Sequence, residues 1–296
     1  MPDRLRLPAH AKLNLFLRVL AREADGFHGL ETLFALIDLH DDVEALRREA
    51  PGVGLEVEGA DCGPAEDNLA VRAARMVLEA TGHRFGVALR LVKRIPVGAG
   101  LGGGSSDAAA ALHLVNRLAG DAVPRPELLQ FAARLGADVA FLCSGAPLAL
   151  AWGHGERMLR LPPLPPHPVL LLLPPRGIAT AEAYGWVDAL QAGGSRRGAV
   201  SYEPGTLASW GDLARLAGND FESAVFARIP AIREAFEALA RTGPLFCRMS
   251  GSGSALFAVY RSERDREDAI GQLGRKHGAA VPAELLTHPA EGPSAD

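Results

Sequence analysis

Cysteine and long hydrophobic runs are scarce in this chain of 296 residues. The three cysteines, Cys62, Cys143 and Cys247, are scattered and odd in number, which argues against a disulfide framework and against a zinc site. The apolar run at 169–173 ends in two prolines and is far too short to span a bilayer. Charged residues interrupt the amino terminus, so we expect no signal peptide. These features predict a cytoplasmic protein with reduced thiols.

Basic residues are slightly fewer than acidic ones, 31 against 35, and lysine is nearly missing. The formal net charge is −4, which argues against a nucleic-acid partner. Of 31 basic residues only Lys12, Lys93 and Lys276 are lysines. A lysine kept in a chain so rich in arginine indicates a position where a compact ammonium cannot be replaced by a planar guanidinium. Lys12 and Lys93 lie in or beside the motifs described below, whereas Lys276 lies in an ordinary charged helix pattern to which this reasoning does not apply.

A dense glycine loop at 96–106 is the most informative segment of the chain. The apolar residues 87–92 before it predict a strand, and the alanines after it predict a helix, for which Ser105, Ser106 and Asp107 are suitable N-caps. A glycine loop that runs into a helix exposes backbone N–H groups and the positive end of the helix dipole. The segment therefore predicts an anion site, most commonly one for a polyphosphate.

Other interpretations of this loop can be compared with the sequence. A Walker A motif needs a lysine after its last glycine, but Ser105 follows Gly104 directly. The dinucleotide fingerprint is matched by Gly98, Gly100 and Gly103, although the second strand of its βαβ unit is missing from the pattern. This fingerprint and a purely structural turn both stay open from the residues alone. So many glycines in one loop are nevertheless entropically costly without a ligand.

The form P-x-G-x-G-L-G-G-G-S-S at 96–106 resembles the phosphate loop of the kinase superfamily of galactokinase, homoserine kinase, mevalonate kinase and phosphomevalonate kinase. Two further segments follow that superfamily's order, A-H-A-K-L-N-L at 9–15 and S-G-S-G-S at 250–254. The tetrad D-G-F-H at 25–28 resembles the branch whose acceptor is a cytidine diphosphate-linked methylerythritol. The resemblance covers nearly the whole chain.

The resemblance implies ATP-dependent phosphorylation of the 2-hydroxyl of that acceptor, a step of the non-mevalonate route to isoprenoids. A homoserine or mevalonate kinase, or a nucleotide-binding protein without catalysis, is the alternative. The implied cofactors are ATP and Mg²⁺. The expected partners are the two small-molecule substrates, with no nucleic acid, no membrane, and a monomer or weak homodimer as the oligomeric state.

Helix and strand patterns without regular βαβ alternation indicate an α+β fold. The resemblance implies an N-terminal domain like ribosomal protein S5 domain 2 at 1–160, a ferredoxin-like C-terminal domain at 161–296, and an active site in the cleft between them. The alternation at 4–20 predicts strand structure with Leu13 and Leu17 on one face. Further strands are predicted at 32–39, 54–58, 87–92, 147–152, 169–173 and 255–260. Helices are predicted through the alanines 108–111 as far as Ala119, at 69–81 and 127–135, and near 181, 220, 232 and 264.

Lys12 and Asn14 alternate on one face of the strand predicted at 4–20, so both face either a cleft or solvent. The resemblance implies that Lys12 is the catalytic lysine and that Asn14 binds the acceptor. It also implies that Asp138 is the general base, kept ionised by Lys12, although the residues alone favour an ordinary N-cap there. Asp107 is the rival base and a possible ligand of the metal.

The remaining site residues are also assigned by resemblance. Phe27 and His28 would contact the cytosine, and Tyr184 would stack on it. Segment 219–222 resembles a family segment without an assigned role, and we expect 191–204 to be flexible. Asn68 and Lys93 are assigned to the adenine side, and Gly251, Ser252 and Gly253 to closure over the phosphates, with a plain hairpin turn as the alternative. The residues of the ATP loop are Pro96, Val97, Gly98, Ala99, Gly100, Leu101, Gly102, Gly103, Gly104, Ser105 and Ser106.

Overall fold

The computed structural model describes residues 3–23, 26, 28–191, 203–216, 218–290 and 292–295. In these ranges ten strands form two sheets, and ten helices pack against them. The strands are β1 (Arg4–Arg22), β2 (His28–Arg48), β3 (Val53–Glu58), β4 (Gly86–Val92), β5 (Leu148–Gly153), β6 (Arg157–Arg160), β7 (Pro168–Leu173), β8 (Phe246–Met249), β9 (Leu256–Val259) and β10 (Ala279–Glu284). The helices are α1 (Leu69–Ala80), α2 (Gly103–Leu118), α3 (Arg125–Leu135), α4 (Ala137–Ser144), α5 (Thr180–Gln191), α6 (Pro204–Leu207), α7 (Trp210–Leu216), α8 (Asp220–Arg228), α9 (Pro230–Arg241) and α10 (Glu263–Leu273).

The first sheet is built around the long strand β2. One edge of β2 pairs with β1, and its other edge pairs with β5 at the beginning and with β4 at the end. Strand β3 adds to β4 in parallel, and β6 adds to β5 in antiparallel orientation. Strand β2 changes partner between Ala35 and Asp42, and the Asp41 side chain at the end of this interval reaches the segment after β4.

The second sheet has the order β10-β7-β9-β8, and all of its pairs are antiparallel. Numbered from its own first strand this order is 4-1-3-2, with helices between the first and second strands and between the third and fourth. This is the ferredoxin-like topology. The predicted α+β fold with a ferredoxin-like C-terminal part is therefore confirmed.

The two sheets share part of their hydrophobic core. Leu13 and Leu15 of β1 belong to the same buried cluster as Leu171 and Phe257 of the second sheet. A separate cluster lies under α1 to α4, where the four alanines 108–111 let α2 approach the first sheet closely. None of the helices in the described ranges combines the length and apolar composition that a membrane crossing needs.

Strand β1 departs from the predicted alternation. Its pairing with β2 shifts register between Asn14 and Phe16, which marks a bulge or irregularity. An extra residue at such a point moves every following side chain to the opposite face. Leu17, predicted to share a face with Leu13, therefore lines the same cleft as Lys12 and Asn14.

Helix α2 begins earlier than the predicted caps. Gly102 is its N-cap, with a left-handed φ of 73°, and no side chain caps the helix by a hydrogen bond. The Ser106 hydroxyl instead donates to the carbonyl of His10 at 2.7 Å, and the Asp107 carboxylate accepts from Lys93. The prediction of Ser105, Ser106 or Asp107 as the N-cap is wrong, because two of these side chains have tertiary partners.

Candidate active site

The predicted site residues converge on one cleft of about 370 Å³ between the two sheets. Phe27 lies outside the described residues. Three others, Ser106, His28 and Gly253, do not line the cleft but lie next to residues that do. The predicted residues that line it are Lys12, Asn14, Asn68, Lys93, all loop positions 96–105, Asp107, Asp138, Tyr184, Gly251 and Ser252.

The glycine loop and the turn at 250–253 interlock. A Cβ on Gly100 would lie 2.1 Å from the carbonyl oxygen of Ser250, and a Cβ on Gly253 would lie 2.3 Å from the backbone of Ala99. The Ser250 hydroxyl donates to the Gly100 carbonyl at 3.0 Å, and the Ala255 amide donates to the Ala99 carbonyl at 2.9 Å. Only glycine permits this close backbone approach, so both glycine-rich segments define one wall of the cleft.

The N-terminus of α2 opens into this wall. The first turn of the helix consists of Gly103, Gly104 and Ser105, whose backbone N–H groups have no partner within the helix. All three residues line the cleft. Because no side-chain cap competes for these donors, the loop and helix end present the unpaired N–H groups that the predicted anion site requires.

Lys12 and Asp138 face each other across the cleft from β1 and α4. The Lys12 Nζ lies 3.4 Å from Asp138 Oδ2, and the Lys12 side chain is 4% exposed whereas that of Asp138 is 34% exposed. The Lys12 amide donates to the Leu101 carbonyl at 3.0 Å, which ties β1 to the glycine loop. Asp138 lies in the first turn of α4 but does not cap it, since the N-cap is Gly136. The cation is thus fixed, and the carboxylate is open to the cleft.

Asn14 is held by a chain of buried hydrogen bonds. Its Nδ2 donates to Thr32 Oγ1 at 2.8 Å, and the Thr32 hydroxyl donates to the Phe16 carbonyl at 2.6 Å. Its Oδ1 accepts from Lys12 Nζ at 2.5 Å. Because Thr32 orients the amide, the Asn14 oxygen points to the ammonium and fixes its position.

Asp107 occupies a different environment from Asp138. Its carboxylate is 2% exposed and accepts a hydrogen bond from the Lys93 ammonium, which also contacts Asp41. Burial raises the pKa of Asp107 to about 7, although the positive charge of Lys93 opposes this rise. Burial alone would lower the pKa of Lys93, but the two carboxylates outweigh it and hold that pKa above its usual value. Asp107 Oδ1 is buried without a hydrogen-bond partner.

Aromatic groups gather at the other end of the cleft. The His28 ring stacks on Tyr184 at a centroid distance of 5.0 Å and an interplanar angle of 21°. Tyr184 in turn meets Phe221 edge-on at 5.0 Å. The His28 Nε2 lies 2.6 Å from Asp188 Oδ1, so the imidazole is held from the side opposite the main chain. This end offers a flat aromatic surface with one polar ring.

Segment 219–222 now has a structural role. The Asn219 side chain caps α8 and donates to the carbonyls of Met249 and Gly251 at 2.8 and 2.7 Å. Asp220 accepts from the Val19 amide at 2.9 Å, and Glu222 accepts from the Met249 amide at 2.9 Å. The segment therefore fastens α8 to β1 and to the turn that closes the cleft.

Sequence reasoning missed Thr32, Asp41 and Asp188 in this region. Thr32 follows Glu31 at the start of an apolar strand pattern, and nothing local distinguishes it as a site residue. Asp41 belongs to an acidic pair late in β2, but nothing local indicates that one member is fully buried and the other exposed. Asp188 lies 160 residues from His28 in the chain, so only the fold brings the two together.

The fold and this site belong to a known class of small-molecule kinases. The family model described as the GHMP kinases N terminal domain matches residues 68–146, which contain the glycine loop and Asp138. The model described as GHMP kinases C terminal matches residues 178–280, which contain Tyr184 and the turn at 250–253. Enzymes of this class use ATP as the phosphoryl donor.

Comparison with individual relatives shows which family within this class of kinases the chain is similar to. A 4-diphosphocytidyl-2-C-methyl-D-erythritol kinase of Pelotomaculum thermopropionicum is 41% identical over 85% of this chain and 87% of its own length. A crystal structure of 4-(cytidine 5'-diphospho)-2C-methyl-D-erythritol kinase superposes with a TM-score of 0.77 at 35% identity, over 95% of this chain and 98% of that one. A homoserine kinase from Cytophaga hutchinsonii, at a TM-score of 0.75 and 21% identity over 99% of this chain and 98% of that one, shares the fold. The chain therefore belongs to the GHMP kinases, and within them to the family of 4-diphosphocytidyl-2-C-methyl-D-erythritol kinases.

Proposed function

We propose that this kinase transfers the γ-phosphoryl group of ATP to the 2-hydroxyl of 4-diphosphocytidyl-2-C-methyl-D-erythritol. The observation that carries the proposal is the Lys12–Asp138 pair, which faces the glycine loop in one cleft. The curated relatives named for this activity, over most of the chain, support the choice of acceptor. We further propose a cytoplasmic location, where ATP is available and the three unpaired thiols stay reduced.

The phosphates of ATP bind to the backbone N–H groups of the loop at 96–104 and the first turn of α2. Asn68, which lines the cleft at the N-cap of α1, lies on the adenine side. The turn at 251–253 covers the phosphates because it is locked against the loop. Phosphoryl transfer needs mainly this kind of positioning and a cation beside the transferred group.

The chemical step uses Asp138 and Lys12. The 2-hydroxyl oxygen attacks the γ-phosphorus, its proton passes to the Asp138 carboxylate, and the bond from the γ-phosphorus to the bridging oxygen breaks to release ADP. Lys12 holds the acceptor oxygen and stabilises the charge that builds up on it. Asn14 fixes Lys12 and contacts the acceptor. Asp138 takes the role of base in preference to Asp107 because Asp107 is enclosed and already holds an ammonium.

The cytidine of the acceptor binds at the aromatic end of the cleft. Tyr184 lines the cleft and provides a face for the base, and His28 behind it provides a polar ring. Phe27 completes this surface in the proposal by its place in the D-G-F-H tetrad, although it lies outside the described residues.

Mg²⁺ is proposed to enter with ATP. Among the described residues, no group of three or more His, Cys, Asp and Glu side chains could hold a metal ion. Asp107 alone does not provide a ligand set, because its Oδ2 accepts from the Lys93 ammonium and its Oδ1, although without a hydrogen-bond partner, is buried. The residues of the cleft therefore fit a Mg²⁺ ion that is held mainly by the phosphate oxygens of ATP, as is common for this ion. When bound, it would neutralise phosphate charge.

A coupled ADP-release assay with three acceptors tests the proposal. We expect ATP consumption with 4-diphosphocytidyl-2-C-methyl-D-erythritol and only background consumption with homoserine or mevalonate. Faster turnover of homoserine or mevalonate would replace the proposed acceptor. The absence of ADP release with all three, together with measurable ATP binding, would indicate a nucleotide-binding protein without this activity.

A further inference from the structure

Asp41, Lys93 and Asp107 form a buried cluster behind the glycine loop that the chemical step does not use. Their side chains are 0%, 2% and 2% exposed. Asp41 lies in the second half of β2, Lys93 follows the end of β4, and Asp107 lies in the second turn of α2. We propose that Asp41 and Lys93 are positioning residues that fix both ends of the phosphate loop for ATP. This inference rests on the proposed binding of ATP to that loop.

The entrance of the loop is held by a single carboxylate oxygen. Asp41 Oδ1 accepts hydrogen bonds from the Arg94 amide at 2.5 Å and from the Ile95 amide at 2.8 Å. Asp41 Oδ2 accepts from the Lys93 ammonium. Three consecutive residues at the start of the loop therefore bind one side chain, which is anchored in the central strand of the first sheet.

The exit of the loop is held by the same ammonium. Lys93 also donates to Asp107 Oδ2, so it links the end of β4 to α2 across the loop. Between these two attachments lie five glycines, of which Gly98, Gly100 and Gly102 have left-handed φ angles. Glycine loses more conformational freedom on ordering than any other residue. When both ends are fixed before ATP binds, the loop loses less conformational entropy on binding.

The cluster also explains why lysine persists at position 93 in an arginine-rich chain. A compact ammonium can donate to two carboxylates from different elements, whereas a planar guanidinium needs a wider space. The surroundings leave little room. A Cβ on Gly103 would lie 3.0 Å from Ile95 Cγ2 and 3.5 Å from Asp41 Oδ2. Arginine at position 93 would therefore push α2 away from the strand that anchors it.

The neighbouring residue offers a matched control. Asp42 has the same side chain, but it is 47% exposed and pairs with the Arg94 guanidinium at 2.6 Å on the surface. Asp41→Asn keeps the shape of the side chain but replaces Oδ2 or Oδ1 by a donor that cannot satisfy both the amides and the ammonium. Asp42→Asn makes the same chemical change at a surface contact with the Arg94 side chain and leaves the Asp41 contacts to the backbone amides of Arg94 and Ile95 in place.

The experiment compares steady-state kinetics of Asp41→Asn, Asp42→Asn and the wild-type chain. We expect kcat/KM for ATP to fall by roughly 10²-fold in Asp41→Asn through a higher KM for ATP. The KM of the acceptor should stay near the wild-type value, and Asp42→Asn should match the wild type in all constants. Equal kinetics in the two variants, or equal rises in both Michaelis constants of Asp41→Asn, would overturn the inference.

Two further measurements apply if Asp41→Asn does not fold. Lys93→Arg keeps the charge and should still raise the KM for ATP, whereas an unchanged KM would contradict the need for a compact ammonium. In the wild-type chain without ATP, hydrogen exchange should be slow at the amides of Arg94 and Ile95. Exchange there as fast as at the amides of the exposed residues Ala50 and Gly52 would overturn the anchor. A wild-type chain without kinase activity would refute the proposed function, but the exchange measurement would still test the anchor.

Discussion

The two aspartates of the cleft differ in what surrounds them. Asp138 is one-third exposed and lies 3.4 Å from the Lys12 ammonium, so it can both meet a substrate hydroxyl and remain close to a cation. Asp107 is buried and paired with the Lys93 ammonium, so its carboxylate is not open to a substrate hydroxyl. The assignment of the base depends on this contrast between two carboxylates and not on either one alone.

Asp138→Asn removes the proposed general base but keeps the size of the side chain. We expect kcat to fall by about 10²–10⁴-fold, the usual contribution of a general base. The dissociation constant of ATP should change little, since the phosphates bind to backbone groups of the loop. Stopped-flow turnover and equilibrium titration with ATP measure these two quantities. Near-wild-type turnover in Asp138→Asn, with collapse in Asp107→Asn, would transfer the role to Asp107.

Asp107 should make stability depend on pH. Burial raises its pKa from 3.8 to about 7, with Lys93 opposing and Asp41 adding to the rise. The carboxyl of the unfolded chain releases its proton near the ordinary value, so its contribution to stability is complete below about pH 4 and is lost as the pH rises to about 7. The Asn side chain of Asp107→Asn does not ionise. The melting temperature of this variant should therefore rise relative to that of the wild type between about pH 4 and pH 7, and parallel curves would contradict this.

At the scale of elements, the position of the glycine loop could be predicted, but the residue at which helix α2 begins could not. The density of glycine between an apolar strand and an alanine-rich helix was a sufficient local signal. The N-cap prediction failed because Ser106 and Asp107 have partners on β1 and after β4, which no local rule contains. The only local sign of the bulge in β1 was Phe16, an apolar residue on the face of Lys12, Asn14 and Arg18, and one such residue does not specify a shift of register. The short strands β6, β8 and β10 were not predicted, because each is defined by its pairing with a neighbouring strand.

The interlock of the loop and the turn gives a prediction at this scale. Gly100→Ala places a Cβ 2.1 Å from the Ser250 carbonyl at a residue with a φ of 82°, so both the clash and the left-handed backbone disfavour it. Gly104→Ala has no neighbour within 4 Å of its Cβ and lies in a helix. Calorimetry should show a loss of at least about 2 kcal/mol for Gly100→Ala and almost none for Gly104→Ala. Similar stabilities would mean that the turn does not pack on the loop as described.

At the scale of the whole molecule, the site is made by the contact between the two sheets. Lys12 and Asn14 come from the first sheet, and the closing turn and Tyr184 come from the C-terminal half. Sequence motifs could predict the members of this site because each carries its own local signal. They could not predict Asp41, Thr32 or Asp188, whose roles depend on burial and on partners far away in the chain.

The separation of the two ends of the cleft predicts separate kinetic effects. His28→Ala removes the ring that stacks on Tyr184 and binds Asp188. Acceptor binding should weaken by roughly 1–3 kcal/mol, the cost of an unmade buried hydrogen bond. The KM for ATP should remain unchanged, because its phosphates bind at the loop. His277→Ala, a change in the turn before β10, is the control and should alter neither constant. A rise in the ATP constant alone would place His28 on the nucleotide side.

The central claim is that this cleft moves a phosphoryl group onto one hydroxyl of the cytidylyl acceptor. Phosphorus NMR of a mixture of the chain, ATP, Mg²⁺ and 4-diphosphocytidyl-2-C-methyl-D-erythritol tests it directly. We expect ADP and one new phosphate monoester in equal amounts, with the ester on the 2-hydroxyl of the methylerythritol and no inorganic phosphate. Inorganic phosphate in place of the monoester, or a monoester at another hydroxyl, would contradict the claim.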